Sequence, residues 1–117
     1  MRPNTFLVAT VAVAIALLAA EALPIPPFPW SPIRNLRDKH VKEIAEFAVE
    51  SYNSRAKTAP LKLVSLDGAD TQVEQGQGTK YLLYLTAEAA GREGRYSALV
   101  LEDYFGVKHF VGLSPED

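Results

Sequence analysis

Between residues 39 and 55, apolar side chains recur at every third or fourth position. They are Val41, Ile44, Ala45, Ala48, Val49 and Tyr52. This spacing is that of one face of an α-helix, because an α-helix completes a turn in 3.6 residues. Asp38 is a suitable N-cap, and Pro60 disfavours helical angles in the residue before it. The pattern therefore predicts one helix over residues 39–55.

After the helix, the period of the apolar pattern changes from three or four residues to two. Strands are predicted at residues 61–66, with a continuation to 73 around a bulge at Gly68, and at residues 80–87, 95–102 and 108–113. The connections between them are predicted at residues 75–78, 90–94 and 103–106, and residues 114–117 are predicted to be a frayed tail.

One helix followed by consecutive antiparallel strands is the pattern of an α+β fold. We therefore expect one long helix packed across a four- to five-stranded antiparallel sheet. A single helix covers one face of such a sheet, so the other face is expected to be more polar or to curve away.

The first 22 residues have the features of a secretory signal peptide rather than of the folded domain. Arg2 provides a positive charge, residues 6–20 are almost entirely apolar, and Ala20-Glu21-Ala22 has the small-x-small pattern of a cleavage site. A membrane anchor is the alternative, but the apolar run is shorter than the roughly 20 residues that span a bilayer. The mature protein is thus expected to be secreted and free of the membrane.

Residues 23–29 form a second distinct segment, because prolines dominate it and continue to Pro32. Each proline ring fixes φ and removes a backbone donor, so this segment is predicted to be an extended arm. The domain proper then covers residues 30–117.

Composition excludes several kinds of function. The chain has no cysteine, which rules out a thiol nucleophile, a disulfide framework and a thiolate metal site. A net charge of −2 gives no basic face for nucleic acid. His40 and His109 have no partner at a recognisable spacing, and Glu102 and Asp103, as neighbours in a strand, point to opposite faces. We therefore predict no metal, no cofactor and no enzymatic activity.

The turns of the predicted sheet give a candidate binding surface. In a meander, alternate turns lie at the same end of the sheet, so the turn near Gly76 and the turn near Phe105 share one end. Tyr104 and Phe105 would be exposed aromatic residues there, and such residues are often interface anchors. The proline-rich arm could lie beside both turns.

Four stretches of the chain resemble the plant cystatins. Residues 44–53, IAEFAVESYN, fit the helix signature of that family at every position except Ser51. Residues 30–38, WSPIRNLRD, are similar to the segment that leads into that helix. Residues 61–63 and 96–100 resemble strands of the family.

The resemblance implies a reversible inhibitor of papain-like cysteine proteases, whose arm and two hairpin turns fill the active-site cleft as a wedge. It assigns protease contact to residues in three elements, each of which departs from the family pattern. In the arm, Phe28 and Pro29 replace a glycine pair; in the second hairpin, Tyr104 and Phe105 replace a proline-tryptophan pair. In the first hairpin, the motif Q-x-V-x-G falls on Gln72, Val73, Glu74, Gln75 and Gly76, with Glu74 in place of the central valine.

Two questions stay open at this point. Counting back from Tyr81 places the motif glycine at Gly78 instead of Gly76, which would make the first hairpin longer than usual. An unpaired Glu74 would be costly to bury in the protease cleft, so we expect a weak or narrow-range inhibitor. We also expect the protein to be a monomer. The alternatives are a cystatin-fold binding module that has lost inhibition and, with no nucleophile–base pair to support it, a small hydrolase.

Overall fold

The computed structural model describes residues 28–116. In this part of the chain, one helix packs against one five-stranded antiparallel sheet in the order β1-β2-β3-β4-β5. The elements are β1 (Ser31–Pro32), α1 (Lys39–Arg55), β2 (Lys62–Glu74), β3 (Gly78–Ala89), β4 (Arg92–Asp103) and β5 (Lys108–Pro115). The α+β fold expected from the sequence is confirmed. The predicted signal peptide, residues 1–22, and most of the arm, residues 23–27, lie outside the described residues.

The helix has the bounds that its apolar period predicts. The Asp38 carboxylate accepts hydrogen bonds from the N–H groups of His40 and Val41, at 2.8 and 3.4 Å, and so caps the first turn. All residues of the predicted stripe are buried, apart from Tyr52, which is half-buried.

The core lies between α1 and one face of the sheet. Ile44, Leu83, Leu85 and Val100 are its largest fully buried side chains. Burying each such side chain contributes about 1.5–3 kcal/mol to folding. Since the chain has no disulfide, this single core stabilises the domain.

The opposite face of the sheet is less polar than the sequence pattern suggested. Leu82 of β3 pairs directly with Leu99 of β4, and both point away from the helix. Val111, the extra residue of a bulge in β5, is 59% exposed on the same side. Apolar side chains therefore remain on a face that no element among residues 28–116 covers.

The strands are longer than predicted, because one connection is tighter than its composition indicates and the last strand continues into the predicted tail. Ala90 and Gly91 both have positive φ, 53° and 80°, and form a two-residue turn in place of the predicted loop at 90–94. β5 also continues through Ser114 and Pro115, which pair with Ser97 and Tyr96 of β4. The prediction of a frayed tail was therefore wrong as far as Pro115.

β2 is one continuous strand with two irregularities. The register with β3 shifts between Leu63 and Ser65 and again between Leu66 and Gly68. The bulge predicted at Gly68 is thus present. The Gly68 backbone also lies against the Tyr84 ring, where an added Cβ would come within 3.3 Å of the ring.

β1 extends the sheet at the start of the domain. Ser31 pairs with Thr71 and Pro32 with Asp70, and the Ile33 N–H donates to the Ala69 carbonyl at 2.8 Å. Because β1 is antiparallel to β2, the chain before Ser31 runs toward the end of β2. This pairing directs the arm to one end of the sheet.

Candidate functional site

The two hairpin turns singled out from the sequence lie at the same end of the sheet. Gly78, which follows the first turn, pairs with Asp103, which precedes the second. We call the residues predicted to make protease contact at this end the contact edge. They are Phe28, Pro29, Gln72, Val73, Glu74, Gln75, Gly76, Tyr104 and Phe105.

The first hairpin has a three-residue loop, residues 75–77, between β2 and β3. The Gln77 N–H donates to the Glu74 carbonyl at 2.9 Å, and Gly76 has a φ of 84°. These are features of a β-turn that needs glycine at its third position. Gly76 is therefore the turn glycine, whereas Gly78 is the first residue of β3.

Glu74 is not an unpaired charge, contrary to the assumption made from the sequence. Its carboxylate lies 3.0 Å from the Lys80 ammonium group, and about a third of each side chain is exposed. The pair adds polar surface to the contact edge. It also lowers the cost of burying Glu74 below that of an isolated carboxylate.

Asp103 organises the second hairpin turn. One carboxylate oxygen accepts the N–H groups of Phe105 and Val107, at 2.9 and 3.0 Å, and the other lies 3.0 Å from His109 Nε2. The hydrogen bond with His109 and then that from Val107 lower the pKa of Asp103 below its ordinary value. This role was missed from the sequence, although an aspartate opening a turn signals such side-chain-to-backbone bonding.

The contact edge is rich in exposed apolar surface. Phe105 is 92% exposed and Tyr104 67%, and Phe28 and Val73 are each nearly half exposed. Large aromatic side chains are seldom left so open unless they contact a partner. The edge therefore has the character of an interface.

The arm reaches the same end as the two turns. Gln72 Nε2 donates to the Phe28 carbonyl at 2.8 Å, which fixes the arm against β2 just before the first turn. The two turns are also joined, because the Gly76 N–H donates to the Tyr104 hydroxyl at 3.2 Å. The structure thus brings together all three elements singled out from the sequence.

Both histidines are about half exposed, and each has an acidic partner that the sequence spacing does not reveal. His40 Nε2 lies 2.7 Å from Glu102 Oε1 and His109 lies beside Asp103, on the other face of β4. The Tyr81 ring packs edge-on against the His40 ring. The pKa of Tyr81 is raised, first by burial and then by the negative charge of Glu102. The first pair ties the helix start to β4, and the second ties β5 to the end of β4.

The part of the chain that the structure describes holds neither a metal-binding cluster nor a membrane-spanning helix. Across residues 28–116, no group of three or more acidic or histidine side chains is arranged to hold a metal ion. In the same range, no helix is long and apolar enough to cross a membrane.

The known sequences that this chain is similar to are all described as proteinase inhibitors. The family model described as SQAPI, aspartic acid proteinase inhibitor, matches residues 33–114. Cysteine proteinase inhibitor 6 of Oryza sativa subsp. japonica is 32% identical over 104 residues, which are 87% of this chain and 82% of that protein. Cysteine proteinase inhibitor 5 of Arabidopsis thaliana is 42% identical over 72 residues, which are 61% of this chain but only 57% of that protein.

A solved structure agrees with the fold. The crystal structure of a salivary cystatin from the soft tick Ornithodoros moubata superposes with a TM-score of 0.61, covering 79% of this chain and 100% of that chain at 14% identity. At this identity, the likeness shows the fold alone. The helix signature, the five-stranded sheet and the plant relatives together show that this chain belongs to the plant cystatin family of proteinase inhibitors.

Proposed function

We propose that this chain is a secreted, reversible inhibitor of papain-like cysteine proteases that fills the active-site cleft with its contact edge. The observation that carries the proposal is the convergence of the arm and both hairpin turns at one end of the sheet. Plant relatives named as cysteine proteinase inhibitors support the target class.

The contact edge supports inhibition by occlusion rather than by reaction with the protease. Its most exposed large side chains are aromatic and aliphatic, and the backbone of two tight turns lies beside them. Such groups bind by burying apolar surface and by backbone hydrogen bonds. Since none of them forms a covalent bond, binding is expected to be reversible.

Two features of the edge favour a weak or selective inhibitor. Docking of the first turn removes water from the Glu74–Lys80 ion pair, and that desolvation opposes binding. Pro29 limits the backbone angles of the arm at a position where the family has glycine. The edge therefore fits fewer clefts than a flexible, uncharged one.

Titration of several papain-like proteases with the mature chain, starting at Leu23, tests the proposal. We expect activity to fall with inhibitor concentration and to recover on dilution. Phe105→Ala should weaken inhibition at least tenfold, as expected for a central aromatic anchor. Val111→Ala, an exposed apolar change on the uncovered sheet face, is the matched control and should leave inhibition unchanged.

The same titration distinguishes protease inhibition from the alternative function, a binding module without inhibition. If no papain-like protease responds to the wild-type chain, inhibition of this class is refuted and a binding module without inhibition becomes the better description. Light scattering of the same preparation gives its mass, which we expect to be that of one chain.

Inhibition of an aspartic proteinase is a second candidate function. It is favoured by the family model, whose description names that class of enzyme. A pepsin-like proteinase should therefore be included in the same titration, and lack of inhibition would remove this candidate.

Secretion is proposed from the sequence of residues 1–22 and needs its own test. The full chain should be expressed in plant cells and recovered from the medium. Amino-terminal sequencing is expected to begin at Leu23. A product that keeps Met1 and stays in the cell would contradict the proposal.

A further inference from the structure

We propose that Tyr104 is a positioning residue, whose hydroxyl holds the first hairpin turn in place while its neighbour Phe105 is presented to the target. This inference rests on the proposed function, since it concerns how the contact edge is prepared for binding. It assigns different roles to two adjacent aromatic residues that the family resemblance treats as one contact.

The geometry that carries the inference is a hydrogen bond between the two turns. The Gly76 N–H, at the tip of the first hairpin, donates to the Tyr104 hydroxyl at 3.2 Å. These residues are 28 positions apart in the chain, so the bond joins two separate hairpins. Without it, a backbone donor at a turn tip would be left to water.

Tyr104 can hold the other turn because its own turn is fixed. The Asp103 carboxylate binds the N–H groups of Phe105 and Val107 and lies beside His109. The Gly106 N–H also donates to the Asp103 carbonyl at 3.0 Å. The hydroxyl of Tyr104 therefore extends from an anchored turn to a turn that has a flexible glycine at its tip.

The connection continues to the third element of the edge. Gln72, which precedes the first turn in β2, donates to the carbonyl of Phe28. The second turn is thus bonded to the first, and the end of β2 that leads into the first turn is bonded to the arm. Ordering side chains and loops at the moment of binding opposes association. An edge ordered beforehand avoids part of that cost.

The difference in exposure agrees with the division of roles. Phe105 is 92% exposed, whereas Tyr104 is 67% exposed because part of its surface lies against its surroundings. Only the phenol oxygen of Tyr104 makes the bond to Gly76. Tyr104→Phe therefore removes the bond while keeping the ring, and it separates positioning from apolar contact.

Amide hydrogen exchange of the free mature protein tests the bond itself. In Tyr104→Phe, we expect the Gly76 amide to exchange on the order of threefold to tenfold faster, as for loss of one hydrogen bond. The control is Tyr84→Phe, which removes a hydroxyl on the uncovered face of β3. It should leave Gly76 unchanged. If Tyr104→Phe also leaves Gly76 exchange unchanged, the inference is overturned.

Inhibition constants then test the positioning role. Tyr104→Phe should weaken binding severalfold with an unchanged midpoint of thermal unfolding. Phe105→Ala should weaken it more, yet leave Gly76 exchange as in the wild type. Faster Gly76 exchange with unchanged inhibition would overturn the positioning role. If the wild-type chain inhibits no protease, the proposed function itself fails, a result distinct from either failure of the hydrogen bond.

Discussion

Gly76 and Gly78 lie two residues apart and are required for different reasons. Gly76 has a φ of 84° and open space around its α-carbon. Gly78 has a φ of 143°, and a Cβ added there would overlap the Glu102 carbonyl and come within 2.7 Å of the Asp103 α-carbon. Gly76 is thus required for the positive φ of the turn, whereas Gly78 permits close approach of β3 and β4.

We therefore predict unequal costs for alanine at these positions. Gly78→Ala should lower the free energy of unfolding by about 2–3 kcal/mol, because the clash is with backbone that must move. Gly76→Ala should cost about 1–2 kcal/mol, the penalty of left-handed backbone angles alone. Urea unfolding of both variants measures the difference. Equal costs would show that the β3–β4 contact at Gly78 is not tight.

The Asp103 carboxyl makes the second turn sensitive to pH. Its folded pKa is lowered from the ordinary value of 3.8, chiefly by the hydrogen bond with His109. Because the carboxylate form accepts the turn hydrogen bonds, its contribution is complete above the unfolded pKa. The contribution is lost as the pH falls through the lower folded value.

His109→Ala is accordingly expected to raise the pKa of Asp103 toward its ordinary value. NMR titration of the Phe105 and Val107 amides follows this pKa directly, since both N–H groups bind the carboxylate. His40→Ala, a histidine paired on the other face of β4, is the control and should leave the titration midpoint in place. An unchanged midpoint in His109→Ala would contradict the assigned cause.

At the scale of elements, Asn53 connects the end of α1 to the start of the sheet. Its side-chain amide donates to the Leu61 carbonyl and its side-chain oxygen accepts the Leu61 N–H, both at 2.8 Å. Paired bonds of this kind fix the chain across the turn that follows the helix. They also satisfy both polar groups of Leu61, which is buried.

Asn53→Ala should lower the free energy of unfolding by about 1–3 kcal/mol, because it leaves a partly buried N–H and carbonyl without partners. Ser54→Ala is a suitable control. The Ser54 hydroxyl bonds only the nearby Ser51 carbonyl on the exposed side of the helix, so we expect a change within about 0.5 kcal/mol. Thermal or urea unfolding compares the two variants, and equal effects would refute the connecting role.

The elements differ in how far the sequence could predict them. The bounds of α1 follow from a clear apolar period, an N-cap and a proline beyond its end. The two-residue turn at Ala90 and Gly91 could not be foreseen, because alanine rarely adopts a φ of 53° and strand pairing on both sides imposes it. β1 contains two residues, one of them proline, so it has no periodicity to detect.

At the scale of the molecule, meander topology alone predicted that the two turns share one end. The contacts that join them were beyond the sequence, because hydrogen bonds such as Gly76 to Tyr104 and Gln72 to Phe28 depend on side-chain geometry across separate strands. The pairing of Glu74 with Lys80 was missed for the same reason: cross-strand partners depend on register, which the glycines at 76 and 78 left open.

The Glu74–Lys80 pair leads to a prediction for the complex. Glu74→Val should tighten inhibition of a papain-like protease by roughly fivefold, because the carboxylate need no longer lose its water and the flexible Lys80 side chain, already a third exposed, can extend to solvent. The gain is smaller than for an unpaired carboxylate, since Lys80 partly compensates Glu74 in the wild type. Inhibition constants for wild type and variant decide this, with Glu43→Val on the exposed helix face as control. No change would place Glu74 outside the contact.

The antiparallel pairing of β1 with β2 has a practical consequence for handling the protein. Phe28, which precedes β1, lies beside the end of β2 that leads into the first turn. The Glu116 N–H, after β5, donates to the Arg95 carbonyl toward the far end of β4. From Tyr96 to Asp103, β4 spans about 23 Å at 3.3 Å per residue. An affinity tag or surface linkage upstream of Phe28 would obstruct the target, whereas one after Glu116 would leave the approach free.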